Sequence, residues 1–186
     1  MTSVGERQPS LRDRYRQTLG RFATGVTVIT SRDAKGEPHG MTANAFMSVS
    51  LEPPLVAFAV QHGANLARVL SASDAFGVAV LGAGQEREAR RFARIDVGAH
   101  GPLPEFDNID GIPVLRHSLA WLTCQVEARQ EAGDHTLVIG RVLDMSPGSP
   151  IELPLAFYQS TFAVLDPMPG HEVAPQLWSG GLDVWG

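Results

Sequence analysis

GMTANAFMSVSLEPPLVAFAV, residues 40 to 60, decides how the rest of the chain is read. Between Thr42 and Ser50 small polar residues recur (Thr42, Asn44, Ser48, Ser50) among Ala43, Ala45, Phe46, Met47 and Val49, a pattern that is neither a clean amphipathic helix nor a clean strand. Hydroxyls, an amide and small side chains allow a ligand to approach the backbone and exchange hydrogen bonds with it. Pro53 and Pro54 close the segment, because proline lacks a donor and restricts the residue before it. The apolar run Leu55 to Val60 then has the length of a strand buried on both faces. A small polar patch held against a buried strand reads either as the wall of a pocket or as a solvated strand end.

Working outward, Ser10 and Asp13 make a capping-box-like start for a helix carrying Leu11, Tyr15, Leu19 and Phe22, with its stop near Gly25. Val26 to Thr30 is rich in β-branched residues and predicts a strand, Asp33 to Gly36 its turn, and Glu37 to Thr42 the returning arm. Beyond Val60, Gln61 to Gly63 break the run, and Leu66, Val69 and Leu70 define a short helix whose first turn could offer amides to a phosphate. Phe76 to Leu81 predicts a further strand, and a helix with Gln85, Ala89, Phe92 and Ala93 follows. Arg87, Arg90, Arg91 and Arg94 crowd that helix beside Glu86 and Glu88. They read either as a solvated face of weak ion pairs or as guanidiniums turned to a phosphate or pyrophosphate of a ligand.

Glycine, proline and acidic residues from Asp96 to Pro113 predict a long loop. Leu119 to Arg129 and Thr136 to Met145 alternate as two long antiparallel strands around Ala132, Gly133 and Asp134, and Leu155 to Leu165 predicts the last strand. Strands outnumber helices and connections are hairpin-like, so the expected class is mainly β with a few helices, an antiparallel barrel. The tail from Pro167 to Gly186 holds Trp178 and Trp185, and large aromatics are scarce in disordered tails. It is expected to dock on its own or a partner subunit.

A chain of 186 residues fits one domain, expected over residues 10 to 166 after a flexible N-terminus of residues 1 to 9. A net charge of -5 argues against nucleic acid as a main partner. Cys124 is the single cysteine and the six histidines lack metal-ligand spacing, so neither a disulfide nor a metal site is expected. No apolar run is long enough for a membrane helix, and a cytoplasmic location is expected. The phosphate loop, the dinucleotide glycine fingerprint and the nucleophile elbow are all absent, which disfavours a Rossmann dehydrogenase and an α/β-hydrolase.

FATGVTV at Phe22 to Val28, GMTANAFMSVSLEPPL, FGVAVL at Phe76 to Leu81, RRFA at Arg90 to Ala93 and GDHTLVIGRV at Gly133 to Val142 occur in order. Together they resemble the flavin reductase-like family, the short-chain NAD(P)H:flavin oxidoreductases of two-component monooxygenases, over roughly Tyr15 to Phe162. The resemblance implies a split β-barrel of the FMN-binding type, acting as a homodimer with flavin near the subunit interface. It further implies FAD or FMN and NADH or NADPH as cofactors, and reduced flavin passed to a separate monooxygenase component. In similar proteins the flavin is held by the positions matching Met41, Thr42, Ala43, Asn44, Ala45, Phe46, Ser48, Val49 and Ser50, with Asn65, Ala79, Arg91 and Phe92 completing the site. Gly133, Asp134 and His135 match the nicotinamide side, with His135 as the orienting, catalytic residue. Without the family, Gly133 and Asp134 are ordinary turn residues and His135 a surface side chain.

Hydride transfer to a flavin asks the protein mainly for position, electrostatics and exclusion of water. Relatives often carry serine where Ala45 stands, asparagine where Ala79 stands and tyrosine where Phe162 stands. Each alanine removes a hydrogen bond worth about 0.5 to 1.5 kcal/mol net, so flavin is expected to be released rather than retained. The other readings are a flavin protein passing electrons to ferric iron or a redox protein, and a non-catalytic flavin-binding module.

Overall fold

A computed structural model describes residues 8–95, 104–148 and 152–165. The expected docking of the 167–186 tail and most of the expected flexible N-terminus lie outside these residues. Helix α1 is Leu11–Leu19, followed by β1 (Thr24–Gly25), β2 (Thr27–Arg32), β3 (Pro38–Ala43), β4 (Phe46–Leu51) and β5 (Pro54–Gln61). Then come α2 (Asn65–Leu70), β6 (Ala75–Val80), a single 3-10 turn at Ala83–Gln85 and α3 (Glu86–Phe92). The described chain continues through β7 (Phe106–Ile109), β8 (Ile112–Leu115), β9 (Ala120–Ala132), β10 (His135–Ser146), β11 (Leu155–Tyr158) and β12 (Thr161–Val164).

Seven antiparallel strands form the main sheet in the order β3-β2-β6-β9-β10-β5-β4. Its two edge strands, β3 and β4, are consecutive in the chain and joined only by Asn44 and Ala45. Six inter-strand steps of about 4.8 Å would set the edges of a flat sheet roughly 29 Å apart. A two-residue link reaches about 11 Å at most. The sheet must therefore curl until its edges meet at Asn44–Ala45, and because β3 and β4 do not pair with each other the barrel stays split there.

Inside the curl, Phe58 and Phe76 meet edge to face at 5.1 Å among Ile29, Val60, Leu66 and Val138. Gly140 sits at a bulge of β10, where any Cβ would run into the Phe76 ring. A second cluster, with Val26, Val28, Ala79, Leu81, Ala89 and Leu155, fills the space between the barrel, α3 and the small β1-β11-β12 sheet.

The structure corrects several expectations. Residues 42 to 50 are not one irregular segment but the ends of two strands broken at Asn44–Ala45. The long loop contains the β7-β8 hairpin, turned by Asp110 and Gly111, both at positive φ, as a two-residue hairpin turn requires. The last strand is two, β11 and β12, turned by Gln159 and Ser160, again both at positive φ. Helix α1 starts on the expected capping box, with the Asp13 amide donating to Ser10 Oγ, but it ends at Leu19 and buries no residue. No helix among the described residues is long and apolar enough to cross a membrane.

Candidate active site

Two adjoining pockets flank the Asn44–Ala45 link. The first, of about 410 Å³, is walled by Gly40, Met41 and Thr42 of β3, by Gln61 to Leu66 of the β5-α2 connection without His62, and by Phe92, Ala93 and Arg94 at the end of α3. The second, of about 710 Å³, is walled by Asn44 to Met47, by Ala57 to Ala59 of β5, by Leu137, and by Tyr15, Leu19, Phe22 and Thr24. Thr42 lines one pocket and Asn44 the other, and β5 likewise passes from Ala59 in the second to Gln61 in the first. A single elongated ligand lying along β3 and β5 would meet both.

Local chemistry sets these positions. Thr42 Oγ1 donates to the Ala89 carbonyl at 2.6 Å, which ties β3 to α3 and leaves this hydroxyl only its acceptor capacity for a ligand. Gly40 has no Cβ because the Phe92 ring stands against it; an ideal Cβ would lie 2.7 Å from ring atoms Cδ1 and Cε1. Phe92 also meets Phe106, edge to face at 6.2 Å. The Ala45 carbonyl accepts from the Ala59 amide, so the link itself is pinned to β5.

The sequence-predicted residues separate accordingly. Met41, Thr42, Asn65 and Phe92 meet in the first pocket, and Asn44, Ala45 and Phe46 in the second. Ala43 is buried and its carbonyl accepts from Thr27 Oγ1. Ser48 and Ser50 lie on the half-buried face of β4, and the Ser48 hydroxyl is buried without a partner, a polar atom awaiting an acceptor or donor. Val49 lies on the opposite face and is exposed. Ala79 has no exposed surface and packs in the second core cluster, so the structure does not bring it to either pocket. Arg91 is half-buried on α3 and is not part of either pocket wall.

Gly133 (φ +66), Asp134 and His135 turn the β9-β10 hairpin. His135 is the register partner of Gln61, so the turn stands beside the first pocket. His135 Nδ1 and Asp134 Oδ1 are 2.7 Å apart, and this hydrogen bond, then the charge of His135, holds the Asp134 carboxyl below the usual aspartate range. Next to it, His62 Nε2 is 3.0 Å from Glu131 Oε2. Sequence reasoning missed Gln61, Gly63, Tyr15, Leu19 and Thr24 as wall residues, because tertiary packing alone assembles them, and it left Arg94 undistinguished among four candidate arginines. Among the described residues no cluster of histidine, cysteine and carboxylates is arranged to hold a metal.

The residues present suit a flavin: a flat aromatic side chain, small wall residues, the unpartnered Thr24 hydroxyl and one arginine, spread over two neighbouring pockets. Comparison with known proteins agrees. The family model described as flavin reductase like domain matches residues 19–166. An NADH-dependent flavin reductase of Pseudomonas fluorescens is 37% identical over 149 residues, covering 80% of this chain and 86% of that protein. The reductase component of 4-hydroxyphenylacetate 3-monooxygenase of Thermus thermophilus is 40% identical over 149 residues, covering 80% and 93%. Among solved structures, a Streptomyces globisporus NADH:FAD oxidoreductase in complex with NAD and FAD fragments matches with a TM-score of 0.77 and 36% identity, over 88% of this chain and 99% of that one.

Proposed function

The chain belongs to the family of flavin reductase like domains, and from that premise we propose how its own residues serve NAD(P)H-dependent reduction of free FAD or FMN. The observation that carries the reading is the placing of two neighbouring pockets on either side of Ala43, with Thr42 in one and Asn44 in the other, beside the His135 turn. A bound flavin supplies the ring that accepts two electrons from the nicotinamide. The chain supplies the bed. Met41, Thr42, Ala43, Asn44, Ala45 and Phe46 contribute backbone and small side chains along it, and Asn65 and Phe92 close one end. Phe46, Phe58 and Leu137 make the second pocket apolar, which excludes water from the reacting atoms. The turn of Gly133, Asp134 and His135 orients the nicotinamide, with the Asp134 carboxylate fixing the imidazole through its hydrogen bond.

Relatives named as reductase components of monooxygenases support delivery of reduced flavin to a separate oxygenase. The working form we propose is a cytoplasmic homodimer. Its support is the uncovered apolar side of α1, where Leu11 is 80% and Tyr15 65% exposed, with Phe22 just beyond the helix at 72% and exposed Met47 and Val49 on β4. Tyr15, Phe22 and Met47 line the larger pocket, so a second copy seated there would roof the flavin bed. The test is oxidation of NADH and of NADPH with free FMN and free FAD varied separately. Saturable turnover that requires added flavin is the expected result. Flavin binding without turnover under any acceptor would leave only a binding module.

A further inference from the structure

Four arginines crowd the end of α3, and the structure sorts them. Arg87 pairs with Glu88 at 2.7 Å; Arg90 pairs with Glu86 at 2.6 Å and lies over the Phe162 ring at 5.2 Å. Arg91 lies outside the pocket walls. Arg94 lines the first pocket and, among the described residues, has no ion-pair partner.

Its backbone is unusual. The Ile95 amide donates to the Arg90 carbonyl and the Arg94 amide to the Arg91 carbonyl, the two bonds that close a helix in a Schellman turn. The residue at Arg94 must then be left-handed, and its φ is +57. Glycine is the residue that fits there without strain. A long cationic side chain is kept instead, at a position whose side chain reaches the wall shared by Thr42, Asn65 and Phe92. Strain held at a pocket is evidence for a role of the side chain.

We propose that Arg94 is a specificity residue that receives the phosphate of the flavin, so that FMN and FAD are preferred over riboflavin. The inference rests on the flavin reading of the pockets. Phosphate is the group an exposed guanidinium recognises best, through paired charge-assisted hydrogen bonds. The same chemistry would suit the 2'-phosphate of NADPH, so the experiment must separate the two sources.

Arg94→Gly and Arg94→Asn both tolerate a left-handed backbone and both remove the charge. The dissociation constants of riboflavin, FMN and FAD are measured by fluorescence quenching at low and moderate salt, and the KM values of NADH and NADPH with riboflavin as acceptor. Expected are a loss of FMN and FAD affinity of about tenfold with riboflavin affinity little changed, and a flattened salt dependence. Arg94→Gly should also melt higher, by about 2 to 4 °C, as strain is relieved. Unchanged FMN-to-riboflavin preference in both variants overturns the inference, as does equal loss of all three flavins. A change confined to the NADPH-to-NADH ratio assigns Arg94 to the nicotinamide and overturns it too. If the wild-type chain binds no flavin at all, the pocket reading itself fails, a result distinct from these.

Discussion

Gly40→Ala tests the bed without touching any polar group. Gly40 lies in extended β3, so alanine costs no backbone strain; the cost is the contact of its Cβ with the Phe92 ring at 2.7 Å and with Val28 Cγ1 at 3.4 Å. Carbon contacts settle near about 3.5 Å or beyond, so the ring must retreat by roughly 1 Å. It meets Phe106, and an edge-to-face pair of that kind is worth about 0.5 to 1.5 kcal/mol. The ring also lines the first pocket, which offers it open space. Yielding into the pocket is the cheaper course, and it moves most of an overpacking cost of about 1 to 3 kcal/mol from folding to ligand binding. The expected outcome is an FMN dissociation constant raised by roughly 5- to 150-fold. The melting temperature should fall by no more than about 2 to 4 °C. Flavin titration and thermal melting read both quantities on the same sample. The Gly40→Ala/Phe92→Ala double variant removes the ring that alanine strikes, so its melting temperature should match that of Phe92→Ala alone. A Gly40→Ala chain that binds FMN as the wild type does while melting far lower would refute the reasoning, since the ring would then have moved away from the bed.

Three further outcomes follow from the same geometry. His135→Ala should raise the KM for the nicotinamide several-fold and leave flavin affinity nearly unchanged; equal loss of both would show the turn to be misassigned. Asp134 is the acid of that turn, with its folded-state pKa depressed; its contribution is present above the unfolded value and lost as pH falls through the folded one, so wild type and His135→Ala should converge in stability in strong acid. Ala45→Ser should tighten flavin retention, because residue 45 lines the larger pocket, whereas Ala79→Asn should lower the melting temperature without tightening it, because residue 79 has no exposed surface. Burial pushes the Cys124 thiol up to about 12, so a thiol reagent at mildly alkaline pH should label the native chain negligibly and the denatured chain once. Rapid labelling of the native chain would mean that β9 opens readily.

What the sequence makes legible follows from where the decisive interactions lie. The α1 start, β5 and the long β9-β10 hairpin depend on neighbours in the chain: Ser10 with Asp13, an unbroken apolar run, and alternation around Gly133. They were readable for that reason. The β7-β8 hairpin had its signal too, in Asp110–Gly111 between short apolar runs, but the surrounding glycine, proline and acidic residues masked it. Gln159–Ser160 carries no such signal; both residues are held left-handed by the pairing of β11 with β12 and β1. Along the pockets, Thr42 and Asn44 stood out by the small polar pattern and Asn65 and Phe92 through family resemblance, whereas the Schellman closure of α3 was needed to single out Arg94 among four arginines.

Strand β4 makes the limit concrete. Met47 to Leu51 alternates apolar and polar residues, but period-two alternation does not say which face turns inward. In the structure Phe46, Ser48 and Ser50 are the half-buried set, while Met47, Val49 and Leu51 are exposed at 56%, 45% and 71%. An edge strand of a solitary soluble barrel is expected to do the reverse, hiding its apolar residues and showing its serines. We read the inversion as answering two demands at once: serines turned in keep polar atoms near the proposed flavin bed, although neither lines a pocket wall, and apolar residues turned out furnish a face for the proposed second copy. Neither demand comes from the folding of one chain alone, which is why the strand looked irregular when only the sequence was read.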